Sequence, residues 1–363
     1  MCSGRCNTGP VKIPETTRRC EVSRSIKAWG VAKGVKTFKE QSEIWIGRCE
    51  LRKRKPIKPA TLRNWESHLK VHILPSLQNI LLPDVTNKTV KEFVATLKLS
   101  PKSIRNVVQV VKMVKASAID EDGNELYPTK WNHDFIDMPQ VNPREQHQPT
   151  FAADQIEKII KHGNRRVQMF AILWAASGLR AGELLGLEVK HFNGSSLSIE
   201  QEVWSGIIQA PKTVNALRTI ELHPSVAKLL KDFIGKRTTG YIFPSSAGTP
   251  FHQSNFLRRE FHPVLKAAGI PQAGFHGFRR YRNTFLRNGA RCPSGLLKYW
   301  MGHADKDMSD LYDKVREDPK FRRAEAKRMG VGFEVPKKLK ADTKSDRIVV
   351  RRVVRDSGEI PQK

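Results

Sequence analysis

Long apolar runs and acidic residues are what this 363-residue chain has least of. No stretch approaches the roughly 18 consecutive apolar residues of a membrane span, and the N-terminus has no apolar signal core. Both a membrane partner and export are thereby disfavoured, and the chain is expected to act in the cytoplasm, where it is made. The cysteines number five, Cys2, Cys6, Cys20, Cys49 and Cys292, an odd count that argues against a disulfide framework. Cys2 and Cys6 lie four apart, but no histidine falls among the first 36 residues and no fourth ligand sits at zinc spacing, so no metal is expected. A Gly-x-x-x-x-Gly-Lys-Ser/Thr phosphate loop is also missing, and no cofactor is expected.

The acidic deficit is the informative scarcity. Thirty-six Asp and Glu stand against 64 Lys and Arg, a formal charge of +28. An excess of this size repels itself in a compact state, and a polyanionic partner is the economical explanation. With membrane disfavoured, that partner is nucleic acid.

The chain falls into four stretches. Residues 1–36 hold eight basic and two acidic residues with little apolar periodicity, a basic N-terminal arm. Residues 37–145 read as a small all-α bundle. Phe38, Ile44 and Trp45 fit one helix. Pro59 opens a second carrying Leu62, Trp65, Leu69 and Ile73, which Pro75 is expected to stop. Thr86 caps a third with Val90, Phe93, Val94 and Leu97 on one face, and Ser100-Pro101 starts a fourth with Ile104, Val107, Val108, Val111 and Val114. The loop Arg52-Lys-Arg-Lys55 is basic, as suits a surface laid on phosphates. Prolines 128, 139, 143 and 149 then break the pattern, and the boundary is placed near Gln146. Residues 146–330 mix helices (about 152–162, 165–176, 224–235, 253–268, 276–288, 294–300 and 306–316) with strands at 197–202 and 218–222, a turn near Ser205-Gly206 implying a small antiparallel sheet. Residues 331–363, with nine basic and five acidic residues, form a basic C-terminal tail. The fold class is mostly α with a small antiparallel β-sheet: an N-terminal helical bundle, then an α+β domain.

Moving a phosphodiester onto a protein side chain needs a nucleophile that forms a reversible ester, cations around the non-bridging oxygens, and an acid for the leaving 5′-oxygen. Arg180 sits in Gly-Leu-Arg-Ala-Gly-Glu, a glycine-flanked turn opening a helix, with Glu183 one turn on. His276 and Arg279, three apart in His-Gly-Phe-Arg, share a face of a helix start. His303 follows Gly302, a C-cap, and Tyr312 lies nine residues beyond it. Alone, each has a plainer explanation: a locally paired arginine, an arginine-rich helix face, a half-buried packing tyrosine.

In this order the four motifs resemble the catalytic signature of the tyrosine recombinases, the phage integrase family of the lambda-integrase type. The resemblance spans residues 37–325, and the helical bundle is similar to that family's core-binding (SAM-like) domain. It implies a site-specific recombinase that cleaves and rejoins double-stranded DNA through a covalent 3′-phosphotyrosine at Tyr312. Arg180 and Arg279 would hold the scissile phosphate, His276 would serve as proton acceptor or hydrogen-bond donor, and His303 would donate to the same phosphate. The family's β-hairpin lysine, its general acid, matches Lys212 best, with Lys190 second. Trp300 is expected in the core, and Glu183 is expected to orient Arg180. The resemblance further implies a homotetramer on DNA, action on a mobile element, and a directionality factor as partner. A nicking-closing enzyme of the type IB topoisomerase kind and a non-catalytic DNA-binding protein stand as alternatives.

Overall fold

A computed structural model describes residues 34–142, 145, 148–209, 216–303 and 314–341. The chain divides between Glu145 and Gln146 into two compact units.

In the first unit, helix starts are written in side chains that satisfy the free N–H groups of a first turn. Thr37 and Glu40 form a reciprocal capping box at the head of α1 (Phe38–Glu50). Thr86 accepts from the Thr89 N–H at α4 (Asn87–Thr96), and Ser100 accepts from Ser103 N–H at α5 (Pro101–Ala116). Ile104, Val107, Val108, Val111 and Val114 of α5 are buried against Phe38 and Trp45 of α1, Phe93 of α4 and Ile73. The second helix departs from expectation. After α2 (Pro59–His68) a π turn (Leu69–Ile73) carries the helix into α3 (Leu74–Leu77), and Pro75 does not stop it. The wider turn lets Leu74 N–H donate to Leu69 O, and Pro75, without an N–H, falls in the first turn of the renewed α-helix, where no donor is required. The Arg52–Lys55 side chains are all exposed.

The second unit is built around one helix. In α7 (Arg165–Ser177) every residue from Val167 to Ser177 is buried, the mark of a helix enclosed on all sides. It packs against α6 (Ala153–His162), α9 (Pro224–Ile234) and α12 (His276–Thr284). Its aromatic face gathers Phe170, Trp174, Phe256, Phe275 and Phe278, with ring centroids 4.4 Å apart for Phe170–Phe256 and 4.9 Å for Trp174–Phe275. Such rings carry much of a core's burial and its geometry.

After α7 come the short α8 (Ala181–Leu185) and four strands: β1 (Ser196–Ile199), β2 (Glu202–Trp204), β3 (Ile207–Gln209) and β4 (Arg218–Glu221). They pair as two separate antiparallel ribbons, β1 with β4 and β2 with β3, the latter turning at Ser205-Gly206. A further helical run follows as α10 (Gln253–Phe256), a π turn (Leu257–Phe261) and α11 (His262–Ala267). Then come α12, extended by a π turn (Phe285–Gly289), and α13 (Ser294–Met301). A 3-10 turn (Lys314–Glu317) and α14 (Pro319–Met329) complete the helices. The helix expected at 306–316 lies mostly outside the described residues.

The stretch after α14 is not a free tail in its described part. Val331 and Phe333 are buried in the core of this unit. Tyr281 donates its hydroxyl to Val331 O at 3.2 Å and Arg282 Nη1 donates to Gly330 O at 2.9 Å. Lys340 Nζ reaches the carbonyls of Lys161 and Gly163, at 2.7 and 2.9 Å. The charge content of 331–363 masks this short apolar anchor.

Candidate active site

The central helix sets the site. It ends at Gly178, which takes the left-handed conformation (φ 68°) and lets the chain turn at once. A Cβ there would come within 2.6 Å of Met301 Cε. Leu179 is buried and its carbonyl accepts the Trp174 indole N–H at 2.5 Å, which fixes the turn so that Arg180 stands at the head of α8.

Arg180 donates its backbone N–H to Glu183 Oε2 (2.8 Å), Nη1 to Glu183 Oε1 (2.8 Å) and Nη2 to Gly302 O (2.8 Å). Its side chain keeps 34% of its surface exposed. Arg279, on α12, is 8% exposed and donates Nη1 to Gly178 O (2.8 Å) and Nη2 to Met301 O (2.5 Å). A third guanidinium, Arg218 at the start of β4, donates Nε to Trp300 O (2.9 Å) and binds both Glu183 oxygens, at 3.1 and 3.0 Å. Three successive carbonyls, Trp300, Met301 and Gly302, thus accept from three different arginines. They lie at the C-terminal end of α13, where unpaired carbonyls and the helix dipole favour cations. Gly302 is left-handed (φ 60°), and a Cβ there would press within 2.9 Å of Arg218 Nη1.

The electrostatics follow from this packing. Burial alone would raise the Glu183 carboxyl, but its hydrogen bonds to Arg218 and Arg180 and the Arg218 charge outweigh it and hold it down to about 2. Burial, and then the Arg180 charge, lowers Arg279 to about 10, still fully cationic at neutral pH. One carboxylate against three guanidiniums leaves the cluster net positive, and these bonds use only part of the five N–H donors that each guanidinium has. His276 begins α12 with its side chain exposed. Its pKa is lowered by desolvation and by the charges of Arg279, Arg280 and Arg180, which favours the neutral ring. His303 follows Gly302 with its side chain exposed and its backbone N–H on Lys298 O at 3.0 Å. The structure therefore brings Arg180, Arg218 and Arg279 together around the end of α13, with His303 next in the chain and His276 close enough to feel the Arg279 and Arg180 charges.

Lys212 and Tyr312 lie outside the described residues. Lys190 is a surface residue paired with Glu188 at 3.0 Å. Glu183 orients Arg180, and it orients Arg218 equally. Arg218 escapes a motif search because it stands in an ordinary strand sequence, Arg-Thr-Ile-Glu. The available signal is that Arg218 and Ile220 share one face of β4, so an arginine occupies an inward position. Trp300 is in the core, 2% exposed, and its indole N–H meets Glu221.

A helical bundle followed by an α+β unit centred on an arginine cluster defines the class of the tyrosine recombinases. The chain belongs to the phage integrase family: the family's model matches residues 149–318, and the model of the phage integrase N-terminal SAM-like domain matches residues 37–98. It is a site-specific recombinase, and a covalent tyrosine intermediate is general to the family. A tyrosine recombinase XerC-like protein of Caldanaerobacter subterraneus subsp. tengcongensis is 24% identical over 296 residues, covering 71% of this chain and 75% of its own. In fold the chain is similar to the Tn1549 transposon integrase solved with a circular intermediate DNA (TM-score 0.60, 18% identity, 77% of this chain and 98% of that one). It is also similar to lambda integrase solved as a tetramer bound to a Holliday junction (TM-score 0.53, 17% identity, 85% of this chain and 83% of that one). Among the described residues no helix is long and apolar enough to cross a membrane.

Proposed function

We propose that this recombinase integrates or excises a mobile element, with Tyr312 as nucleophile and double-stranded DNA as substrate. The observation that carries the reading is the convergence of Arg180 and Arg279 on the consecutive carbonyls of Gly302 and Met301, directly before His303, which itself lies nine residues before Tyr312. In this reading the two guanidiniums grip the non-bridging oxygens of the scissile phosphate and stabilise the charge that grows on them. They are held in place before DNA arrives, so little reorganisation is needed. His276, its pKa lowered by desolvation and the neighbouring arginines, accepts a proton or donates a hydrogen bond at the phosphate, and His303 donates another.

A free phenol with a pKa near 10 is a weak nucleophile at pH 7. The positive cluster favours the phenolate as Tyr312 attacks phosphorus. The 5′-oxygen leaves and takes a proton from Lys212. The phosphodiester energy is conserved in the 3′-phosphotyrosine, so a second 5′-hydroxyl reseals the strand without ATP. The complex formed is a homotetramer bridging two DNA segments on the bacterial nucleoid, as lambda integrase is on its junction, and a directionality factor sets whether integration or excision prevails.

The test is a suicide substrate carrying the cognate core site. Tyr312→Phe is expected to bind it with unchanged affinity and form no covalent adduct; an adduct formed by that variant sinks the assignment.

A further inference from the structure

Outside the arginine cluster a second buried ionic group joins two parts of the chain that flank the nucleophile. Glu221, the last residue of β4, is 4% exposed. Its Oε2 accepts the Trp300 indole N–H at 2.9 Å and its Oε1 accepts Arg322 Nε–H at 2.7 Å. Arg322, on α14 and also 4% exposed, donates Nη1 to the carbonyls of Val315 (2.6 Å) and Arg316 (2.7 Å). Its guanidinium lies over the Tyr299 ring, 4.9 Å from the centroid, and the Tyr299 hydroxyl accepts the Thr219 N–H at 3.0 Å. One carboxylate on β4 thus fastens α13, three residues before His303, and through Arg322 the turn that begins two residues after Tyr312.

A buried ion pair is an uneconomical way to gain stability, because desolvation consumes most of the attraction and apolar residues of the same volume do as well. What the pair supplies is a fixed geometry: Arg322 spends its fork on one carboxylate and two specified carbonyls, and each bond sets a position in the backbone.

We propose that Glu221 and Arg322 are positioning residues for the nucleophile, holding the two ends of the 304–313 segment at the separation that lets Tyr312 reach phosphorus opposite the leaving oxygen. The inference rests on Tyr312 being the nucleophile. Neither residue touches the phosphate. Their effect passes through the segment that they bracket, and a misplacement of about 1 Å in such a geometry lowers rate on the order of 100-fold.

The experiment compares two nucleophiles at the same phosphate. Glu221→Gln, Arg322→Lys and Trp300→Phe are each made in the full chain and again with Tyr312→Phe. In the first set, single-turnover covalent cleavage of the suicide substrate is measured together with DNA affinity. In the second, hydrogen peroxide is added; its anion attacks phosphorus in place of the phenolate, expelling the 5′-hydroxyl strand and leaving a 3′-peroxyphosphate. The expected result is a 10- to 100-fold loss of Tyr312-dependent cleavage, roughly the range for a displaced reacting group, with peroxide cleavage and DNA affinity changed by less than about twofold. Equal losses with both nucleophiles would mean a damaged phosphate site or fold, and they overturn the proposal, as does full activity in all three variants. Because Trp300→Phe removes only the indole donor and Arg322→Lys keeps the charge, an unfolded Glu221→Gln does not end the test. A covalent adduct formed by Tyr312→Phe alone refutes the underlying nucleophile assignment instead, a distinct outcome.

Discussion

Glu183 is where the chemistry of single residues is most exposed to test. Its oxygens take hydrogen bonds from the Arg180 backbone and from the Arg180 and Arg218 guanidiniums, at 1% exposure. Its carboxyl in the folded chain, at about 2, lies below the ordinary glutamate value. A depressed acid contributes stability that is complete above its unfolded pKa and lost as pH falls through the folded one. Glu183→Gln is therefore expected to destabilise the chain at pH 7 by about 3–5 kcal/mol, the cost of removing one partner from a buried pair. The gap between the two proteins in urea midpoint should close between about pH 4.5 and pH 2; a gap constant through that window would show that Glu183 does not hold the charges as described. Arg218→Lys belongs beside it. The lysine keeps a charge but cannot bind both Glu183 oxygens and the Trp300 carbonyl together, and covalent cleavage by this variant is expected to fall further than its DNA affinity.

At the scale of elements, the site depends on two helix ends in the left-handed conformation. Gly178→Ala places a Cβ against Met301 at a positive φ, and about 1–2 kcal/mol of destabilisation is expected from the backbone alone. Gly302→Ala meets the Arg218 and Arg180 guanidiniums instead, so cleavage on the suicide substrate should drop more steeply than thermal stability; the reverse order would argue against the carbonyls as arginine holders. These elements also show how much was legible beforehand. The α5 valines at helical spacing and the caps at Thr37, Thr86 and Ser100 depend on neighbours within a few residues, and those helices were readable. Pro75 misled because a π turn upstream removed the clash that proline rules assume. Arg218, Glu221 and Arg322 were missed because their ion-pair partners lie 35 to 101 positions away, a distance at which no local pattern forms. The placement of Arg180, His276, Arg279 and His303 was legible because their motifs sit at turns and helix ends, where local sequence decides geometry. The roles of all four, like those of Lys212 and Tyr312, are assignments by motif.

For the whole molecule the relevant quantities are charge and chain ends. With +28 on the full sequence, affinity for duplex DNA is expected to fall by about 10³–10⁵ between 50 and 200 mM salt if six to ten phosphates are contacted; a shallow slope in a titration would point to a far smaller interface. The described part of the C-terminal stretch gives a second test. Ending the chain after residue 329 removes buried Val331 and Phe333 and leaves the buried Arg282 without its Gly330 acceptor. Loss of the two apolar side chains alone costs about 3–6 kcal/mol, and a clear drop in melting temperature is expected.

The division between Glu145 and Gln146 has a bearing on how such a protein changes over time. Arg180, Arg218, His276, Arg279 and His303 all belong to the second unit, as do Lys212 and Tyr312 in sequence, while the first unit has its own core and its own capped helices. The bonds that build the arginine cluster therefore run wholly within one unit. Substitutions confined to the first unit's own core need not touch any of these bonds, so the two cores can change independently.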